Sequence, residues 1–262
     1  MYSEEIVNHI VDWLKEKVEA SNMKGFVVGV SGGIDSAVTS TLASLTRKPI
    51  IVLNLPINQE ESQYSRSNEQ INWLQGKFNN VSSHTIDLTG TFNSLKSVLP
   101  EEEISGLALA NAASRLRMTT IYSFANSKNY LVCGTGNKIE DYGIGFFTKY
   151  GDGGVDIGPI ADLLKSEVYE LSEYLKIPQS IQDAVPTDGL WEDNRSDEDQ
   201  IGASYQELEW AFEYYDDCNK GVCTTNLTDR QIDVLNIYEQ RHSTNKHKLE
   251  TVPTCTIPRG YK

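Results

Sequence analysis

The chain is poor in cysteine, has no long apolar run and carries no excess of basic charge. Its four cysteines, Cys133, Cys218, Cys223 and Cys255, are scattered over 262 residues. That is no disulfide framework, and it implies free thiols in a reducing compartment. Cys218 and Cys223 have no second Cys/His pair at zinc spacing, which argues against a zinc site. The longest apolar runs, near Phe26–Val30 and Ile50–Leu53, fall far short of the ~20 residues a membrane-spanning helix needs. The N-terminus, Met1-Tyr2-Ser3-Glu4-Glu5, is acidic and lacks the basic and apolar regions of a signal peptide. The expectation is a cytoplasmic protein with no membrane partner. With 23 Lys+Arg against 37 Asp+Glu the net charge is −14. Broad nucleic-acid binding needs many cations to displace counterions, so no nucleic-acid partner is expected. A small anionic ligand held by a few placed cations is compatible with that charge.

What is present is an alternation of short apolar runs with helical periodicity. Apolar spacing predicts helices over 4–20, 60–77, 105–127, 162–175, 204–215 and 228–242, and Ala37, Val38, Leu42 and Leu45 place another after the first glycine turn. Buried strands are predicted at 26–30, 50–55, 83–88 and 130–134. Gly143–Gly158 reads as a mobile glycine-rich loop, and Thr187–Asp199 as an acidic one. Strands alternating with helices imply an α/β fold: a doubly wound parallel sheet with helices on both faces. Ligands of such sheets sit at the carboxyl ends of the strands. Two glycine turns fall there, after Val30 and after Cys133. No domain boundary is evident.

The first turn, Gly29-Val30-Ser31-Gly32-Gly33-Ile34-Asp35-Ser36, carries the most information. A loop between a buried strand and a helix presents unpaired N–H groups at the positive end of the helix dipole, which suits phosphate. Glycines let the backbone approach the ligand, and Ser31 and Ser36 add hydroxyls. Asp35 would repel a phosphate unless Mg²⁺ bridged the two. A Walker A loop requires a Lys after its glycines, and none follows here. Gly29-Val30-Ser31-Gly32-Gly33 matches a nucleophile elbow, with His242 or His247 as a late histidine, but only 28 residues precede Gly29 and leave no room for an oxyanion loop. Ser31-Gly32-Gly33-Ile34-Asp35-Ser36 resembles the SGGxDS loop of the ATP-pyrophosphatase superfamily. That resemblance implies an adenine nucleotide alpha-hydrolase-like fold and cleavage of ATP between its α and β phosphates. It leaves the second substrate open.

A second constellation narrows the choice. Gly134-Thr135-Gly136-Asn137-Lys138-Ile139-Glu140 follows a strand, and Gly145-Phe146-Phe147-Thr148-Lys149-Tyr150-Gly151-Asp152-Gly153-Gly154-Val155-Asp156 follows soon after. Together with Arg115-Leu116-Arg117-Met118, Lys165, Pro186-Thr187 and His247-Lys248, these segments resemble the NAD synthetase family in order along nearly the whole chain. On its own chemistry Glu140, just beyond a strand end, suits a Mg²⁺ site shared with Asp35. Lys165 suits phosphate charge.

The resemblance implies an ATP site of Gly29, Val30, Ser31, Gly32, Gly33, Ile34, Asp35, Ser36, Thr135, Lys165 and Thr187. It implies magnesium on Asp35 and Glu140. It implies a deamido-NAD site of Arg115, Tyr122, Phe146, Lys149, Asp156, His247 and Lys248. Asp35, Lys165 and Asp156 are the catalytic candidates. Asp156 suits either a ribose hydroxyl or an ammonium whose proton it accepts. Between Glu140 and Phe146 the chain is about one residue longer than the family pattern, so Asp141 competes with Glu140. The implied reaction is amidation of deamido-NAD by ammonia through an adenylated carboxylate, giving NAD, AMP and pyrophosphate. The resemblance also implies ATP as co-substrate and a homodimer. The pattern starts too near Met1 for the amidase domain of glutamine-dependent members, so one domain over 1–262 is expected. Residues 143–158 and the segment around 190–202 are lid candidates. Another ligase of the superfamily, or a non-catalytic nucleotide-binding protein, is the alternative. The acidic surface speaks against the first where RNA is the substrate, and Glu140 and Lys165 against the second.

Overall fold

The computed structural model describes residues 2–187, 196–222 and 226–258. The elements run α1 (Ser3–Ala20), β1 (Phe26–Gly29), α2 (Ile34–Leu45), β2 (Ile50–Asn54), α3 (Glu61–Lys77), β3 (Val81–Thr85), α4 (Thr89–Val98), α5 (Gly106–Lys128) and β4 (Leu131–Val132). A π-helical turn, Lys138–Gly143, follows. Then come α6 (Lys165–Leu175), α7 (Gln179–Gln182), α8 (Asp197–Ile201), α9 (Tyr205–Asn219) and α10 (Asp229–Leu249). The four strands form one parallel sheet in the order β3-β2-β1-β4. The chain winds outward from β1 through β2 to β3, then returns through α4 and α5 to pair β4 on the other side of β1. The strand order therefore reverses between β1 and β4. In an open α/β sheet that is where a crevice opens at the strand ends.

Alternation along the strands explains the two-sided core. Phe26 and Val28 of β1 join Leu14 of α1, Leu42 of α2 and Leu171 of α6 on one face. Val27 joins Ile51, Leu53 and Val132 against Met118, Ile121 and Ala125 of α5 on the other. Strands buried on both faces read as unbroken apolar runs, as β1 and β2 do. A third apolar cluster joins Ile139 of the π-turn to Ile201, Leu208, Val234 and Tyr238 of α8, α9 and α10.

Several boundaries differ from the sequence expectation. The edge strand β3 lies at Val81–Thr85 rather than 83–88. Only one of its neighbours is a strand, and its Ser82, Ser83, His84 and Thr85 leave little apolar signal. After Thr85 the chain still follows β2 through Ile86 N–H to Asn54 O and Leu88 N–H to Pro56 O. Helix α10 extends to Leu249, past the predicted stop at 242. The end of the predicted acidic loop forms α8, with Ser196 as its N-cap accepting from Asp199 N–H. Residues 188–195, which hold part of the 190–202 lid candidate, lie outside the described residues, as does Cys223. Among the described residues no helix is long and apolar enough to cross a membrane.

Candidate active site

The glycine loop joins β1 to α2 at the reversal point. Gly32 has φ +87°, and a Cβ there would lie 2.6 Å from the Gln63 carbonyl oxygen. Glycine is thus required both by backbone conformation and by the close approach of α3. Ser31 N–H donates to Ser36 Oγ at 3.2 Å, Ser36 Oγ donates to Gly33 O at 2.9 Å, and Gly33 N–H donates to Ser31 Oγ at 3.2 Å. From outside, Gln59 Nε2 takes up the Ser31 carbonyl and Arg66 Nε the Gly32 carbonyl, both at 3.3 Å. Two carbonyls that would repel an anion are thus taken up by donors, and the loop precedes the positive end of α2.

Below the loop three charged side chains meet. Lys165 Nζ, at the start of α6, lies 2.6 Å from Asp35 Oδ2 and 3.0 Å from Glu140 Oε1. The lysine side chain is 3% exposed, the two carboxylates 17% and 16%. Asn137 ties the two glycine turns together. Its Oδ1 accepts from the N–H groups of Ile139 and Glu140, and its Nδ2 donates to Asp35 Oδ1 at 3.1 Å. Burial, with the charge of Glu140 behind it, pushes the Asp35 pKa up despite Lys165. At Glu140 burial is outweighed by Lys165 and by the Tyr205 phenol, so its pKa lies below the usual value. Burial opposes the charge on Lys165, but the two carboxylates prevail and keep it protonated. Asp141 lines the same cavity, with its carboxylate against Gly136: a Cβ there would fall 2.0 Å from Oδ2. Burial and then the charges of Glu140, Asp152 and Asp35 push its pKa up to about 8. Of the two competing acids, Glu140 is the one that shares a cation with Asp35.

The glycine-rich stretch 143–158 is tied down along its length. From α10, His242 Nδ1 contacts Gly143 O at 2.7 Å and Asn245 Nδ2 donates to Ile144 O at 2.9 Å. Lys248 Nζ donates to Gly145 O and Phe147 O, each at 2.8 Å. From α5, Ser114 Oγ donates to Asp152 Oδ1 at 2.6 Å. Asp156 Oδ2 accepts from Val132 N–H at 2.8 Å and its Oδ1 from Tyr122 Oη at 3.0 Å. Ile157 then bridges to Cys133 in parallel, extending the sheet edge. The expected mobile loop is a strapped one, because three elements distant in sequence supply its partners.

A cavity of about 590 Å³ opens over this floor. Every residue of the expected ATP site lines it: Gly29 to Ser36, Thr135, Lys165 and Thr187, together with the expected metal ligands Asp35 and Glu140. Of the expected deamido-NAD residues only Phe146 and Lys248 do. Arg115, Tyr122, Lys149, Asp156 and His247 lie apart from its wall. Arg115 Nε donates to Lys149 O at 3.1 Å, Lys149 Nζ donates to His247 O, and His247 Nδ1 contacts Thr244 O at 3.0 Å. Arg115, Lys149 and His247 form one chain of contacts along the loop. The cavity wall also holds Arg117, from the Arg115–Met118 segment, and residues that sequence reasoning missed: Asn54, Gln59, Gln63, Arg66 and Arg241. Gln63 and Arg66 stand three residues apart on α3, with Gln59 just before its start; that signal is shared by any solvated helix face. Asn54 is 1% exposed, and its Nδ2 has no partner among the described residues. A buried donor left unpaired is costly, so a polar ligand atom at this point of the wall would relieve it.

The chain matches the NAD synthase family model over residues 6–252. It is 40% identical to the NH(3)-dependent NAD(+) synthetase of Mesoplasma florum, over 80% of this chain and 84% of that one. Its identity to the protein of the same description from Methanosarcina mazei is 35%, over 94% and 95%. Among solved structures, NMN synthetase from Francisella tularensis superposes with a TM-score of 0.83 at 32% identity, covering 98% of this chain and all of that one.

Proposed function

The chain belongs to the NAD synthase family, and from that membership and the geometry of the cavity we propose that it amidates deamido-NAD with ammonia at the expense of ATP. The observation that carries the reading is Lys165, held between Asp35 and Glu140 beneath the glycine loop. The three groups sum to one negative charge, so a divalent cation on the two carboxylates would turn this floor positive and suit it to a triphosphate. The loop N–H groups and the hydroxyls of Ser31 and Ser36 bind and orient the phosphates, with Thr135 and Thr187 as further hydroxyl partners. Carboxylate oxygen of deamido-NAD attacks the α-phosphorus and pyrophosphate leaves. Ammonia then attacks the acyl carbon, AMP departs, and one ammonia proton is released. Preorganised charge, paid for in folding, stabilises both transition states. The walls around the cavity exclude water from an adenylate that would otherwise hydrolyse.

Magnesium fits the donor set. Two carboxylates already converge on one ammonium, and among the described residues no group of three or more His, Cys, Asp or Glu side chains forms a self-sufficient metal centre. Asp35 and Glu140 would hold the ion and leave its remaining positions to phosphate oxygens and water, the usual Mg²⁺ arrangement. Bound there, it would screen the charge of the departing pyrophosphate.

Phe146 and Lys248, both on the cavity wall, would meet the nicotinate ring and its carboxylate. Arg115, Tyr122, Lys149, Asp156 and His247 fit a homodimer in which this outer face completes the site of a second copy. Asp156 retains lone pairs for a ribose hydroxyl or for ammonium. A cytoplasmic enzyme accords with the composition, and the use of free ammonia with relatives described as NH(3)-dependent.

The assay is incubation with MgATP, ammonium and deamido-NAD, following NAD, AMP and pyrophosphate. Formation of ADP and phosphate, or turnover without deamido-NAD, would refute the reading. The likeness to an NMN synthetase over the full chain supports one second reading, in which the acid is nicotinate mononucleotide. Equimolar competition between the two acids, scored by product, separates them.

A further inference from the structure

We propose that Tyr205 is a positioning residue for Glu140, fixing which carboxylate oxygen is offered to a divalent cation. The inference rests on reading Glu140 as a cation ligand. Tyr205 opens α9 and is 7% exposed. Its phenol donates to Glu140 Oε1 at 2.5 Å and lies 3.2 Å from Asp197 Oδ2. A phenol has one proton to give, and the shorter contact assigns it to Glu140. Lys165 Nζ also contacts Oε1, at 3.0 Å, and stands 4.7 Å over the Tyr205 ring. Two donors thus converge on the same oxygen. Oε2 is left as the oxygen that can turn to a cation without breaking either contact.

Such a device is needed because glutamate is a flexible side chain, and holding it in one rotamer costs entropy. Tyr205 is itself well placed to hold it. The start of α9 is fixed by a reciprocal cap between Ser204 and Glu207, and Arg230 grips Glu207 with Nε and Nη2, both at 2.7 Å. The phenol is therefore held by a helix end rather than by a loop. Asp197, also buried, stands on the far side of the phenol, so the hydroxyl separates its carboxylate from that of Glu140.

The test uses the full chain and Mn²⁺ as probe, with free Mn²⁺ read by electron paramagnetic resonance in the presence of non-cleavable α,β-methylene-ATP. Tyr205→Phe keeps the ring, its packing and the contact with Lys165, and removes only the hydroxyl. A hydrogen bond to a charged group corresponds to a loss of about tenfold or more in Mn²⁺ affinity. The apparent Mg²⁺ requirement for turnover should rise in parallel, with the rate at saturating Mg²⁺ within about threefold of wild type. A merely structural role would lower the saturated rate and leave the Mg²⁺ requirement alone. Unchanged Mn²⁺ affinity in Tyr205→Phe overturns the inference. If that variant does not fold, Glu140→Asp carries the test, because the shortened carboxylate is drawn out of reach of the phenol; wild-type Mn²⁺ affinity in that variant overturns it equally. Glu140→Gln is the control. If it binds Mn²⁺ like wild type, Glu140 is no ligand and the underlying reading falls too; if it loses Mn²⁺ while Tyr205→Phe does not, only the positioning role falls.

Discussion

Replacing Lys165 by methionine separates electrostatics from packing at the centre of the site. The apolar stem is kept, and the charge between Asp35 and Glu140 is lost. In the native chain the three groups sum to one negative charge; in the variant the two carboxylates stand alone with two. Removing one partner of a buried ion pair costs about 3–5 kcal/mol. Since about a sixth of each carboxylate side chain still meets solvent, the lower end applies, about 3 kcal/mol. At about 2–4 °C per kcal/mol for a chain of this size, the Tm should fall by about 6–12 °C in EDTA. The pH dependence is the sharper signature. In wild type the Glu140 pKa is depressed below 4.5, so its contribution is present at neutral pH and fades as pH falls below that value. In the variant both carboxyls are buried without a cation and titrate above their unfolded values, so the penalty is full at pH 8 and shrinks on acidification. The gap between the two proteins should therefore close from pH 8 toward pH 5, and millimolar Mg²⁺ should narrow it at pH 8. Thermal melts by circular dichroism across that range decide the matter. A gap below about 1 kcal/mol, or one that does not change with pH, would refute the argument that Lys165 balances this pair.

Gly32→Ala should cost about 2–4 kcal/mol from the left-handed φ and the collision with Gln63, and should abolish ATP binding by isothermal titration. Lys248→Met frees the carbonyls of Gly145 and Phe147; the KM for deamido-NAD should rise about tenfold with the KM for ATP unchanged, and equal rises would show that the strap acts on the whole cavity. Glu207, held at a pKa of about 2 chiefly by Arg230, contributes stability above its unfolded value of 4.5 that is lost as pH falls toward 2. After screening at this partly exposed pair, Glu207→Gln should cost about 1 kcal/mol at pH 7 and nothing at pH 2, read from urea melts. Sedimentation velocity should give twice the chain mass, and Arg115→Ala should raise the KM for deamido-NAD more than that for ATP; a monomer with full activity would remove the shared-site reading.

What was legible in the sequence follows burial and locality. β1 and β2 are covered on both faces, so Phe26–Val28 and Ile50–Leu53 read as strands without help from context. β3 has one strand neighbour and a polar sequence, and its boundary slipped. α4 buries only Phe92, too little to set a period. The extension of α10 beyond 242 is polar and is anchored by what it binds, through His242, Asn245 and Lys248, rather than by an apolar stripe. A loop's partners cannot be read from its own composition, which is why the glycines of 143–158 suggested mobility.

The site divides along the same line. Residues that must lie together on one short loop for chemical reasons, Ser31 to Ser36, announce themselves, because few other functions need two glycines, two hydroxyls and an acid between a strand and a helix. Asp35, Glu140 and Lys165 stand far apart in sequence, yet each is tied to a local landmark: the glycine loop, the second glycine turn, the first turn of α6. Arg66 and Tyr205 have no such landmark of their own. Each contacts a group that the sequence does expose, a loop carbonyl for Arg66 and the Glu140 carboxylate for Tyr205. Their side-chain types are ordinary on a helix or at a strand end, so only the fold distinguishes them from solvated neighbours. The groups proposed to meet the substrate are thus written locally, and those proposed to aim them are written in the tertiary contacts.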